Sequence, residues 1–586
     1  MTRPPRGRRA HRLRRPTPLA LALVVASVAG IALAPSAAGR VGVTDAAWVD
    51  REHVRGRVTA AASWCQQGLY RTEGRGQLVA GRLTGRDLAT LAEVRPLHVQ
   101  NAGAAPTATP GGAVALGDDA FANPLTATAL QALTVDLGSS LLSVPLSAGQ
   151  GAGALNQYAR ATTSSVSAGA SGAVSDSGAV DVRTQQPGSG LPDVAQVDLR
   201  ALTGSLLGSG ISTAVANDVA DLSVRVGAVA ASAVLDACTS HSAPAATRAY
   251  GVAGLRLDAT SRAVAALSTT ATTAVGVVQT GIGTTGSLAT SLGTSVRGAL
   301  GLVGALTAVV GLGTPSATLS VNANLPAAVA AVSTTLGAGT AVQVDLATGA
   351  ARIDLARLTS ATDGVNNRPP NSEILTTGTL TTTTTQVAGL LDTWSKQVTQ
   401  AATDALNTAA TTLTVDIPLS TALGTITTLR ITVTGSFAVL AAGTGAVKAE
   451  LVGGCTGLAA AVCGTVSTLL PTLLAPVGAA VATTLTGVFA PTGLVGTLGG
   501  TLATAVAGVT GSSGILRALF AGLPSLVSVQ VNARPDVATG LRPGLTTRPG
   551  EYAVSALRVG LADPAQGAWI ALGSATAGPN VYAPPT

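Results

Sequence analysis

The chain has 586 residues, of which 47% are hydrophobic but only 2% aromatic and 11% charged, with 70 glycines. That excludes a wholly disordered polypeptide and calls for cores of Ala, Val and Leu, which bury less area per residue than aromatic cores. The formal charge of +7 is matched by Arg3, Arg6, Arg8, Arg9, Arg12, Arg14 and Arg15 alone, so the remainder is near neutral and offers neither the basic stripe nor the stacking rings that nucleic-acid binding needs.

Those arginines head an apolar run, "PLALALVVASVAGIALAP", and the small residues "SAAG" follow it. A basic start, an apolar middle and a small-residue exit predict a signal peptide over residues 1–38, cleaved near Ala38. A retained transmembrane anchor is the rival, because the run approaches spanning length. Arg14-Arg15 admits a twin-arginine route, although the residues after it fit that motif poorly.

Residues 39–100 read as an N-terminal strand-rich segment, and residues 101–115, with "NAGAAPTATPGG", as a linker or loop. The body is expected over 116–586. Leu133, Val135 and Leu137, then Leu142, Val144 and Leu146, alternate as in a half-buried strand. Next comes "NQYARATTSSVSAGASGAVSDSGAV", almost free of bulky side chains. It reads as strand ending in a tight hairpin at "GAVSDSGAV", with a Ser/Gly linker as the alternative; Tyr158, Val166, Val174 and Val180 would share one face.

"RAVAALSTT" at 262–270 and "AAVAAVSTT" at 327–335 each follow an alternating run, which predicts a strand–helix repeat near 250–350. "TTGTLTTTTT" is low-complexity and open between loop and strand. After it, Val387, Leu390, Leu391, Trp394 and Val398 mark one helical face. "TTLTVDIPLS" reads as a strand. Residues 451–516 contain no charged side chain. Leu458, Val462, Val466, Leu469 and Leu473 form one stripe there, and Val477, Val481, Leu485 and Val488 another. Helices buried on one side are expected, with Pro471 and Pro476 interrupting any long span; bilayer insertion is the rival. "LVSVQVNA" and the last segment, joined by "ADPAQG", read as strands. The fold class expected is α+β, β-rich with sandwich-like or layered sheets and Ala/Thr-rich helices packed on them.

Cys65, Cys238, Cys455 and Cys463 suggest disulfides in an exported chain. Cys455 with Cys463 is the local pair, leaving Cys65 with Cys238, though four cysteines allow three connectivities. Neither CxxC spacing nor a nearby His supports a metal. A secreted hydrolase, the less favoured alternative, would need His53, His98 or His241 to converge with a carboxylate and a hydroxyl, and the three are isolated from one another in sequence. Asp118 and Asp119 are adjacent, and on an extended segment they would point to opposite faces, as in a solvated loop. No P-loop, EF-hand or HExxH appears. The expectation is therefore no catalytic residues and no cofactor.

"AAWVDREHVRGRVTA", "LNQYARATTSSVSAGASGAVSDSGAV", "GLRLDATSRAVAALSTT" and "YAVSALRVGL…ALGSATAGPN" together resemble the choice-of-anchor G proteins of actinobacteria, over roughly residues 41–582. The resemblance implies an exported surface protein with an unknown surface or cell-wall partner and supplies no catalytic residue. Proteins of that kind are expected to continue past "GPN" into an anchor. "VYAPPT" shows no LPxTG, which puts covalent sorting in doubt and leaves release, noncovalent retention and a shortened gene open.

Overall fold

Small side chains decide how the sheets meet. In the computed structural model, Asn156–Ala161 and Val166–Gly172 are adjacent antiparallel strands. One of their faces carries Ala159, Ala161, Ser167, Gly169 and Ser171, continued by Ala231 and Ala233 on Val229–Asp236. This face lies against the strands Tyr70–Leu83 and Trp569–Ala577 of a second sheet. A Cβ at Gly169 would stand 2.0 Å from the Arg75 carbonyl oxygen, and one at Gly74 would stand 2.1 Å from that of Ala168. The backbones therefore touch, well inside the roughly 10 Å of ordinary sheet stacking. Ser171 Oγ shares its proton between the carbonyls of Gln77 (2.9 Å) and Ser574 (2.7 Å). Ser167 Oγ donates to Asn580 Oδ1 at 2.7 Å and accepts from the Gly578 N–H.

The structure describes residues 67–83, 86–88, 95–125, 142–143, 155–180, 195–203, 213–238, 246–422, 424–453, 455–456, 459–542, 544–562 and 568–583. All belong to one compact unit, Ala61–Thr586. Their strands form four sheets in which every pairing is antiparallel. Helices pack on the nine-, seven- and five-stranded sheets, and the six-stranded sheet packs on the nine-stranded one, giving the layered α+β architecture expected from the periodicities.

The nine-stranded sheet runs Ser372–Glu373, Val527–Ala533, Tyr552–Leu561, Trp569–Ala577, Tyr70–Leu83, Leu97–Asn101, Thr107–Thr109, with Arg86–Asp87 and Val581–Tyr582 also pairing on Tyr70–Leu83. The first long described strand thus sits among the last ones. The six-stranded sheet runs Ala246–Val252, Val229–Asp236, Val166–Gly172, Asn156–Ala161, Ala120–Ala122, Val114–Gly117. Thr107–Thr109 and Val114–Gly117 lie in or at the end of the 101–115 segment, so that segment joins the edges of two sheets rather than hanging free.

The seven-stranded sheet runs Thr335–Leu336, Val342–Asp345, Ala350–Asp354, Leu255–Ser261, Val219–Val226, Ala195–Asp198, Leu142–Ser143. Its two central strands pass into the six-stranded sheet at Gly227 and Gly254. There the Gly227 N–H donates to the Gly254 carbonyl at 2.8 Å, and a Gly227 Cβ would meet the Gly254 nitrogen at 2.9 Å. In the remaining sheet, Gly311–Leu312 and Ser316–Val321 pair with Ala410–Thr421, followed by Gly424–Ser436 and Ala446–Val452.

The opening small-residue stretch ends as a turn closed by a Val174–Val180 bridge. Gly178 lies against the Tyr158 ring, and Tyr158, Val174 and Val180 pack together. The strand expected through Leu133–Leu146 falls outside the described residues except for Leu142–Ser143. The two repeat copies diverge after their strand–helix step. Arg262–Gly281 continues for 20 residues on a buried stripe of Val264, Leu267, Ala271, Val275 and Val278, whereas Leu325–Ala330 stops after six. Beyond it, Gly337 and Gly339 take positive φ, and the two preceding strands belong to different sheets.

Two expectations need correction. "TTGTLTTTTT" is neither loop nor strand: Thr376 caps a 32-residue helix, Thr377–Thr408. β-Branched residues disfavour helix, but Thr382, Thr383, Thr384 and Thr385 each donate their hydroxyl to the carbonyl four residues back. Buried Leu380 and Thr383 extend the stripe of Val387, Leu391, Trp394 and Val398. Nor do Pro471 and Pro476 break their helix, which runs Ala459–Thr486. Pro471 is exposed, so the carbonyl its ring deprives of a partner can be hydrated. Val466, Leu473, Val477, Val481 and Leu485 of this helix are buried, with Thr, Ala and Gly outward. It packs on Ser287–Gly301 and on Ala446–Val452.

Candidate functional site

Charge is scarce in this chain, so the places that gather it are the first candidates. In the seven-stranded sheet, alternation sends Val197, Leu222, Val224, Leu257, Ile353 and Val344 into the core and polar residues to the other face. Pairing aligns these into rows: Gln196, Arg225, Arg256, Asp354; then Asp198, Ser223, Asp258, Arg352, Gln343; then Asp221, Thr260, Ala350, Asp345. Asp258 holds two guanidinium groups, Arg225 Nε at 2.8 Å and Arg256 Nε at 3.1 Å. Burial raises the pKa of Asp221, and the nearby Asp198 and Asp258 add to it. Burial also raises Asp354, against the opposing Arg357 N–H and charge. The face is half-buried and carries both signs.

The sequence signal for this face was present as Gln-Val-Asp at 196–198 and 343–345, and as Arg-aliphatic-Asp at 256–258 and 352–354. Each looks like an isolated strand until pairing stacks them.

His98 lies opposite Arg75 in the nine-stranded sheet. Its Nε2 is 3.3 Å from Glu73 Oε2, which also accepts from Arg548 at 2.6 Å. Arg548 in turn bonds Glu551, with Nε 2.7 Å from Oε1. Burial pushes the His98 pKa down and Arg75 adds to this, against the pull of Glu73. For Glu73, burial works upward, but the hydrogen bond and charge of Arg548, with His98, hold the carboxyl below its ordinary value. Nε2 of the imidazole thus faces a carboxylate that Arg548 also holds. This cluster joins the Tyr70–Leu83 strand to the segment before Tyr552–Leu561.

A third polar group straps a loop to the same sheet. Asn371 Nδ2 donates to the carbonyls of Val537 (2.7 Å) and Thr539 (3.1 Å), and Gln530 Nε2 donates to that of Gly540 (2.6 Å). Glu373 accepts from Val529 N–H (2.7 Å), Leu375 N–H (3.3 Å) and Ser528 Oγ (2.6 Å). Burial raises the Glu373 pKa against these bonds. Arg558, 1% exposed, is pushed down to about 10 by burial, with Glu373 opposing.

Of the residues singled out from sequence, Cys455 and Cys463 form a disulfide. Cys238 is disulfide-bonded as well; Cys65, its expected partner, lies outside the described residues, as do Ala38, His53 and His241. Asp118 and Asp119 are not extended. Both have positive φ, 49° and 61°, and form the two-residue turn between Val114–Gly117 and Ala120–Ala122. Such a turn needs left-handed backbone at both central positions, which Asp tolerates. Among the described residues, no group of three or more His, Cys, Asp or Glu is placed to hold a metal ion.

Fold and clusters together define a layered α+β protein of antiparallel sheets whose polar side chains chiefly bind its own backbone and one another. The chain belongs to the family described as Domain of unknown function (DUF8394), whose model matches residues 74–578. No curated protein and no solved structure matches it.

Proposed function

We propose that this is an exported, noncatalytic surface or envelope protein that acts by presenting its folded surface to a partner. The carrying observation is the leader: seven arginines, an apolar run, then small residues at Ala38. The Cys455–Cys463 disulfide suits an oxidising compartment, and the resemblance to choice-of-anchor G proteins points the same way. The half-buried Asp/Arg face of the seven-stranded sheet is the surface we assign to partner contact. Fractionation of the native cells tests the proposal. The expected product is in the envelope or medium, with its N-terminus near residue 39; an uncleaved product confined to the cytosol would overturn it.

A second reading, membrane insertion, draws on Ala460–Leu526, a helical stretch long and apolar enough to cross a membrane by length and composition. Against it, the large aliphatic residues there face inward and small hydroxyl residues face out. Flotation with liposomes separates the two, since an inserting protein rises with the lipid.

A further inference from the structure

Among the described residues, the Ala446–Val452 strand ends the five-stranded sheet and pairs on one side only, with Gly424–Ser436. Its exposure alternates along all seven residues. The other sheet edges among the described residues are shorter or covered. Ser372–Glu373, Thr335–Leu336 and Leu142–Ser143 have two residues each. Ala246–Val252 is clasped, with the Val252 N–H donating to Asn366 Oδ1 and the Tyr250 hydroxyl to the Val365 carbonyl. On Ser316–Val321, the Leu319 N–H is taken by the Thr284 carbonyl. A long open edge invites another strand.

We propose that two copies of this protein join through this edge, antiparallel about a two-fold axis at Ala449, so that Lys448 of each faces the partner's Glu450. The charges argue for this occupant. Across the free sheet, Asp416, Arg430 and Glu450 form one row, with Arg430 bonded to Asp416 at 2.8 and 3.0 Å. The neighbouring row is Thr414, Thr432 and Lys448, so Lys448 has no anion beside it within its own sheet row. Pairing about Ala449 continues the first row with the partner's Lys448, alternating sign across the seam, and does so twice by symmetry. On the other face, Val447 would meet the partner's Leu451. The axis stands perpendicular to the sheet, so both copies keep the charge-free helix Ala459–Thr486 on one side, where no charge opposes approach.

This goes beyond the reading as a surface protein and does not depend on export. Sedimentation velocity of the purified protein over a concentration series tests it, with far-UV circular dichroism confirming that each variant folds. Wild type is expected to dimerise in a concentration-dependent way. K448E and E450K, which place like charges across the seam, should each weaken the dimer at least about tenfold. An equimolar mixture of the two variants restores both opposite-charge pairs and should associate again. A wild type that stays monomeric at its highest soluble concentration, a dimer that neither variant weakens, or a mixture that fails to associate would overturn the proposal.

Discussion

Replacing Gly169 with alanine adds one methyl group at the point where two sheets touch. The new carbon would lie 2.0 Å from the Arg75 carbonyl oxygen and 2.6 Å from that of Thr576. Both are backbone atoms of paired strands, so neither can swing aside as a side chain would. Relief requires the sheets to part by about 1 Å, and overpacking of this kind costs about 2 kcal/mol. Parting also stretches the inter-sheet hydrogen bonds of Ser167 and Ser171, worth about 1 kcal/mol each. The expected loss is about 4 kcal/mol, a large share of the roughly 5–15 kcal/mol that holds a typical folded protein. Gly500 is the control: it lies in Leu494–Thr510 with nothing within 4 Å of its added Cβ, so Gly500→Ala should stabilise by about 0.5–1 kcal/mol. Urea unfolding followed by circular dichroism reads both midpoints. If Gly169→Ala shifts the midpoint no more than Gly500→Ala does, glycine at 169 is not there to let the backbones approach.

Glu373→Ala would leave the Val529 and Leu375 N–H groups and the Ser528 hydroxyl without their acceptor, at a cost of about 4 kcal/mol. Glu373→Gln, which keeps an acceptor oxygen, should cost clearly less by the same urea midpoint, and equal losses would contradict the role given to this carboxylate. Acid should weaken the Glu73–His98–Arg548 cluster. His98 is held below its ordinary 6.5, so the fold favours its neutral form and stability declines as pH falls from 6.5 toward the folded value. Glu73 is held below its ordinary 4.5, so its contribution is complete above that value and is lost as pH falls through the lower folded one. Midpoints measured from pH 7 to 3 should fall less steeply in the acid range for Glu73→Gln; a slope identical to wild type would refute this. Breaking the Cys455–Cys463 disulfide, which spans a sequence separation of 8, should cost about 2.5 kcal/mol by loop entropy. Hydrogen exchange should then rise first at the start of Ala459–Thr486, and protection unchanged on reduction would argue against that tie.

Much of the secondary structure was legible locally. The alternation in "TTLTVDIPLS" and "LVSVQVNA" became the strands Ala410–Thr421 and Val527–Ala533, and the stripe through Trp394 became a helix face. The local Cys455–Cys463 pair needed only nearness. "TTGTLTTTTT" is helix although its sequence suggests loop or strand, because threonine propensity is only a weak local bias. The cap at Thr376 and the buried Leu380 outweigh it, and burial depends on what packs there. Pro471 and Pro476 likewise lie inside a continuous helix, since the cost of a proline depends on whether water reaches the freed carbonyl.

The sequence by itself determined where the strongly alternating strands and the apolar helix stripes lie, and that the core would be made of small aliphatics, because periods of two and 3.6 along the chain and its composition carry them. Only the tertiary structure decided that Tyr70–Leu83 lies between Trp569–Ala577 and Leu97–Asn101, and that Gly74, Gly76 and Gly169 are points of backbone contact. It alone stacked the separate Arg and Asp residues into a charged face. A period of two names the face of a strand but not its neighbour. In a chain with 70 glycines, the few that let backbones touch differ from the rest only in what lies opposite them.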